Sequence, residues 1–274
     1  FAVLFSTYAF VAAVITPSWN HTVDIFVITL FVYMFLTYDN YRPPRLAWLG
    51  IWQVISILVR YLNVLLMVPV IIYFLNKKEY AKIKYFFIGF IATAWIIPLI
   101  FYVYNDGFLN AFYNKATTQL QLNSIVFRPK YIFKYLVHPL HGLFIWSPVL
   151  ILSITGLLIF PKEKKRLGYI LFATWFIYVL VCGYNPHYHC GWSFSNRYLS
   201  GLFVIYIMGL AVFLEKHGKK SMFLVIFFTL YSVFLFFNWN LCVIHGQLGT
   251  PLDMVKAWLK GESLHFVGGR KVNL

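Results

Sequence analysis

Charge is scarce in this sequence. Of its 274 residues only 11% are Asp, Glu, Lys or Arg, against roughly 25% in soluble domains. A soluble protein built from it would have almost nothing to show water, so soluble enzymes and charged disordered chains are excluded. Acids are scarcer still: eight Asp and Glu stand against 23 Lys and Arg. Cysteine is nearly missing too. Cys182, Cys190 and Cys242 are too few, and odd in number, for a disulfide framework, which excludes a small secreted scaffold. All three fall towards one expected face, leaving open one bridge or ordinary thiols. The first apolar run lacks the features of a leader. Phe1–Thr16 is an apolar run without a basic start or a cleavage site, and is not a signal peptide. The chain opens inside this run, and the protein's own N-terminus is expected to lie upstream of it.

What is present is apolar sequence. Hydrophobic residues make up 61% of the chain and aromatic ones 21%, and mean hydropathy is +0.73. The apolar runs break at polar loops into about nine segments, 1–16, 22–38, 45–59, 61–76, 84–104, 146–160, 168–183, 198–214 and 221–243. A full span takes about 20 residues. Several segments are short of that, and 45–59 with 61–76 reads as a tight pair of half-length or steeply packed helices. The expected fold class is all-α, a polytopic membrane helix bundle. Residues 1–243 would form the bundle, with long loops at 105–145 and 184–197, and 244–274 would form a tail.

Position explains the basic excess. Arg42 and Arg45, Lys77, Lys78, Lys82 and Lys84, Lys162, Lys164, Lys165 and Arg166, and Lys216, Lys219 and Lys220 occupy four very short loops. Positively charged short loops stay in the cytoplasm, so the long loops and the C-terminal tail are expected outside. The cations are then a topological address. Nucleic acid is not an expected partner, because no recognition motif accompanies them.

Loops positioned by a rigid scaffold carry function, which directs attention to the outer face. Pro17-Ser18-Trp19-Asn20-His21-Thr22 reads as a polar turn with an interfacial tryptophan, or as part of the roof of a site. Asp24 follows just inside a span, where a carboxylate is costly without a partner. Arg60 is isolated in Leu58-Val59-Arg60-Tyr61-Leu62-Asn63. It either snorkels to headgroups or is recessed and needs an anion, a lipid phosphate being the obvious one. The long loop begins Asn105-Asp106-Gly107, and its Phe108–Leu122 stretch suits a helix lying on the membrane. His138 and His141 flank Pro139, which argues against one regular helix through both. His187, His189 and Cys190 are the densest set of soft ligands, but no second cluster completes a metal site. No cofactor is expected, with a divalent metal left open. Arg197 follows Gly191-Trp192-Ser193-Phe194-Ser195-Asn196 at the mouth of a helix, and a fixed guanidinium there suits bidentate capture of phosphate.

These residues resemble a family. His141-Gly142-Leu143-Phe144-Ile145-Trp146-Ser147-Pro148-Val149-Leu150 resembles the GLF-aromatic-SP segment of bacterial multi-spanning GT-C glycosyltransferases, the broad superfamily of protein O-mannosyltransferases and aminoarabinose transferases. Gly191–Leu199 is similar to its GWSFGNRYL segment, with Ser195 where glycine is usual. Ile57–Asn63 is similar to its LxRxxN turn, and Pro17–His21 to a short outer turn ahead of it. The four stretches lie in family order across most of 15–215; the tail after 244 is unmatched.

The resemblance implies transfer of a sugar from a polyprenyl-phosphate donor to a lipid, glycan or protein acceptor at the outer face of a bacterial plasma membrane. It places the main catalytic carboxylate in a loop upstream of Phe1, with Asp24 and Asp106 as stand-ins. Arg60 and Arg197 would hold the donor phosphate. Asn20, His21, Asn63, His138, His141, His189, Trp192, Asn196 and Tyr198 would contact substrate. A transporter or flippase of lipid-linked sugars, or a non-catalytic membrane subunit, are the alternatives. A transporter predicts repeated halves and a charged path, and no repeat is visible.

Overall fold

A computed structural model describes residues 1–7, 9, 20–37, 42–104, 127–139, 142–182, 197–244 and 250–259. Every regular element among them is helical. The α-helices are α1 (Ala2–Ser6), α2 (Asn20–Leu36), α3 (Leu46–Val59), α4 (Met67–Asn76), α5 (Tyr80–Ala94), α6 (Ile96–Tyr104), α7 (Pro129–Val137), α8 (Leu143–Trp146), α9 (Val149–Leu158), α10 (Lys165–Cys182), α11 (Phe203–His217), α12 (Lys219–Ile244) and α13 (Pro251–Leu259). Short 3-10 helices lead into α3, α4, α10 and α11. With no water in a bilayer core to satisfy backbone groups, helices that close their own hydrogen bonds are what such apolar sequence must form.

Among the described residues, four stretches are long and apolar enough to cross a membrane: Tyr80–Ile100, Lys162–Cys182, Leu199–His217 and Lys219–Phe237. The protein is thus a helical membrane protein. His21–Leu36, Pro43–Val59, Tyr61–Asn76 and Val149–Leu158 are shorter apolar helices. One of the shorter ones has a proline at each end. Pro148 delays the start of α9, and Pro161 follows soon after its end, because neither proline can donate to a helix. Pro43–Val59 and Tyr61–Asn76 are the expected half-length pair. Arg60 takes an extended conformation (φ −150°, ψ 123°), and the 3-10 helix Tyr61–Leu66 restarts the chain towards α4.

The expected boundaries shift where polar residues join the helices. The 84–104 run is entered from Tyr80, and the 168–183 and 221–243 runs from Lys165 and Lys219, since lysines at a helix end extend their apolar stems along it. The break at Pro139 is as expected. α7 ends at Val137, His138 is extended, and α8 begins only at Leu143. The tail carries the short helix α13. Half of the 1–16 run and the whole Phe108–Leu122 stretch lie outside the described residues.

Among the described residues, two helix pairs touch backbone to backbone through a glycine on each side. Gly50 of α3 lies against the carbonyl of Phe86 in α5, and Gly89 against that of Ala47. Gly156 of α9 and Gly209 of α11 meet in the same way, with Gly209 also against the carbonyl of Ser153. Lipid tails are as apolar as the helices, so association relies on such close packing rather than on expulsion of water. Large apolar side chains point outward, among them Trp48, Ile91, Trp95, Phe223, Phe227 and Leu230. That surface is suited to lipid. The core between the helices is equally apolar, with Ile28, Phe74, Phe86, Leu157, Leu202 and Ile205 sealed from solvent.

Candidate functional site

α2 buries one stripe. His21, Asp24, Ile28, Phe31 and Phe35 are all buried, and their spacing of three and four residues puts them on one face. Asp24 therefore enters the bundle because its helix turns it there with the core residues, one turn above Ile28. α3 does the same with Leu46, Leu49, Gln53 and Ser56. Both helices thus carry polar side chains into the same interior.

Arg60 meets Asp24 there. Its Nη1 donates to Asp24 Oδ2 at 3.0 Å, with 10% of the Arg60 side chain and 1% of the Asp24 side chain exposed. The anion that a recessed Arg60 requires is thus a carboxylate of its own chain. Asn63 completes the group. Its Nδ2 donates to Asp24 Oδ1 at 2.6 Å and to the Ser56 carbonyl at 2.9 Å. The second bond joins the one that the Ser56 carbonyl already accepts from the Arg60 N–H at 3.0 Å, at the end of α3. Gln53 Nε2 donates to the Asn63 carbonyl at 2.8 Å, and the Tyr178 hydroxyl of α10 donates to Asn63 Oδ1 at 3.1 Å. Tyr178 thereby fixes which way the Asn63 amide faces, its NH2 towards Asp24.

A fourth segment closes over this group. The 3-10 helix Arg197–Leu202 packs on α2, and a Cβ on Gly201 would stand 2.6 Å from both Asp24 Oδ2 and the Ile28 side chain. Only a residue without a side chain brings the backbone that close. No protein-family model, curated protein or solved structure matches the chain.

Of the residues singled out from sequence, Asp24, Arg60 and Asn63 come together, and His21 lies one turn from Asp24 on the same buried face. Arg197 and Tyr198 open the helix whose Gly201 touches Asp24. Asn20 begins α2. Asp106, His141, His189, Trp192 and Asn196 lie outside the described residues, as do His187 and Cys190. Cys182 is buried in the core. Among the described residues no group of three His, Cys, Asp or Glu side chains is placed to hold a metal ion.

Gln53, Ser56, Tyr178 and Gly201 are members that sequence reading missed. A signal existed for two of them, because Gln53 and Ser56 recur at a spacing of three along the apolar helix that ends just before Arg60. Nothing in the sequence joins Tyr178 or Gly201 to Asp24. Gln53 Oε1 is buried with no hydrogen-bond partner among the described residues, which marks the cluster as richer in polar groups than its own bonds use.

His138 stands apart, at the end of α7 in the loop region. Burial first, and then the nearby Lys134 ammonium, hold its imidazole below the ordinary histidine value of 6.5. The fold favours the neutral ring. Its contribution is therefore present above about pH 6.5 and is lost as pH falls through the lower folded-state midpoint. An NMR titration of the His138 ring should show a midpoint below 6.5. A midpoint at or above 6.5 would contradict this placement.

Proposed function

We propose that this chain belongs to an integral membrane glycosyltransferase of GT-C type. It takes a sugar from a polyprenyl-phosphate donor at the outer face of a bacterial plasma membrane and passes it to a lipid, glycan or protein acceptor. The finer topology of this reading is about nine spans, with the short basic loops in the cytoplasm and the C-terminal tail outside.

One observation carries the proposal. The turn at Ile57–Asn63, the start of α2 and the helix that begins at Arg197 converge on one buried ion pair, and these stretches, or their neighbours, bear the resemblance. Ionisable residues inside a membrane bundle are expensive and mark functional sites by default. Displacement at an anomeric carbon requires a base for the acceptor hydroxyl and stabilisation of the departing phosphate. Arg60 and Arg197 would supply the second. The base would be a carboxylate, for which Asp106 stands in. His21, Asn20 and Asn63, with His138, His141, His189, Trp192, Asn196 and Tyr198 from the loops, would line the substrate path.

The test is transfer of a radiolabelled hexose from a polyprenyl-phosphate carrier in membranes carrying the protein. Arg197→Ala should lower transfer at least about tenfold, the scale of a lost charge-assisted contact, while expression is unchanged. Undiminished transfer would remove its phosphate role. Movement of the labelled carrier across proteoliposomes with its sugar bond intact would favour the flippase instead. Loss of activity on chelation would revive the histidine cluster as a metal site.

A further inference from the structure

We infer that Asp24 is a positioning residue for a lipid phosphate held by Arg60, and does not itself take the acceptor's proton. The glycosyltransferase reading supplies only the identity of the phosphate; the division of labour comes from the geometry.

Asp24 is closed on three sides. Its side chain is 1% exposed, Oδ1 accepts from Asn63 at 2.6 Å, and Oδ2 accepts from Arg60 at 3.0 Å. Gly201 lies so near Oδ2 that a single added methyl group would stand 2.6 Å from it. A general base must be reached by a hydroxyl at about 2.6–3.2 Å, and a wall too close for a methyl group leaves no approach on that side. Arg60 has ten times the exposure, 10%. Of the two charges it is the one with a path outward.

The remaining bonds form a chain of orientation. Tyr178 fixes the amide of Asn63, Asn63 and Arg60 each hold one oxygen of Asp24, and Asp24 fixes one nitrogen of the guanidinium. Such an arrangement sets the direction of a planar fork, which is what bidentate phosphate recognition requires. An arginine on an extended residue at a helix break would otherwise sample many rotamers.

The inference has a sign that simple electrostatics does not share. Removing an acidic residue beside an anion site should tighten anion binding through loss of repulsion. Removing a positioning carboxylate should weaken it.

The experiment compares undecaprenyl phosphate with undecaprenol, identical in tail and lacking the phosphate, on the full chain in nanodiscs by native mass spectrometry. The wild type should prefer the phosphate. Asp24→Asn should cut that preference about tenfold, the scale on which outer-shell partners tune a bound ion, and Arg60→Lys should cut it as well. Tyr178→Phe, which keeps ring volume and the ion pair, should cut it about two- to threefold in protein that still folds. It serves where Asp24→Asn fails to fold. Equal or tighter phosphate binding by folded Asp24→Asn, or an unchanged preference in Tyr178→Phe, would overturn the inference while leaving the phosphate reading intact. A wild type without any preference would overturn both.

Discussion

Replacing Arg60 with alanine is expected to cost about 3–5 kcal/mol of folding stability, the penalty for leaving one partner of a buried ion pair uncompensated. The reason is the seal around Asp24. With 1% of its side chain exposed and Gly201 flush against Oδ2, the carboxylate has no route to water once the guanidinium is gone. The Asn63 amide, 2.6 Å from Oδ1, satisfies one oxygen but carries no charge. The complementary variant is the double substitution Asp24→Asn with Arg60→Met. It removes both charges, keeps volume, and should recover most of the loss, since neutral replacements for buried ion pairs are often close to neutral in stability. Reversible unfolding in bicelles measures all three proteins. A loss under about 1 kcal/mol for Arg60→Ala would mean that the pair is wet and that the seal is not as described.

Valine at Gly209 is expected to be as damaging, through packing alone. α9 and α11 approach until Gly156 rests on the carbonyl of Gly209 and Gly209 on that of Ser153. These atoms belong to two backbones, and no flexible side-chain end can yield. The helices must separate along their contact, which forfeits dispersion contacts over several residues at once. Overpacking a well-filled interior costs about 1–3 kcal/mol and more where backbone must move. We expect at least about 3 kcal/mol here, or no folded protein in detergent. Ala211→Val, on the exposed side of the same helix, is the control and should fall within about 0.5 kcal/mol of the parent. Equal behaviour of the two variants in a thermal-shift measurement would rule out the close approach.

Particular residues show how much could be read in advance. The break at Arg60 and the two half-length helices around it were legible, because a charge in the middle of apolar sequence interrupts the run that a single span needs. The stop before Leu143 was legible from Pro139. Asp24, Arg60 and Asn63 stood out as polar residues in apolar surroundings, although nothing joined them. Arg60 lies 36 residues from Asp24, and Tyr178 lies 115 from Asn63. Separations of that size have no local signature, since periodicity speaks only of which face of one helix a residue occupies. The lipid phosphate that the sequence offered as partner to Arg60 is met first by an internal carboxylate, because the rotation of α2 about its axis sets where Asp24 points. Gly201 gave no sign at all. A glycine after an aromatic loop reads as a turn until the helix it presses on is known.

By itself the sequence determined the solvent and the class of structure. With 61% hydrophobic residues and 11% charged ones, the chain must satisfy its backbone internally and turn apolar surface to lipid, which leaves helices. The location of its few charges likewise told which residues were costly enough to need a reason. Tertiary structure alone decided what those charges answer to. Whether a buried arginine faces a headgroup or a neighbouring helix depends on angles and distances between helices, and these are fixed by close contacts such as Gly156 with Gly209 and Gly201 with Asp24. Such contacts are made by atoms far apart in the chain, so the pairing of Asp24 with Arg60 exists only once the bundle has formed.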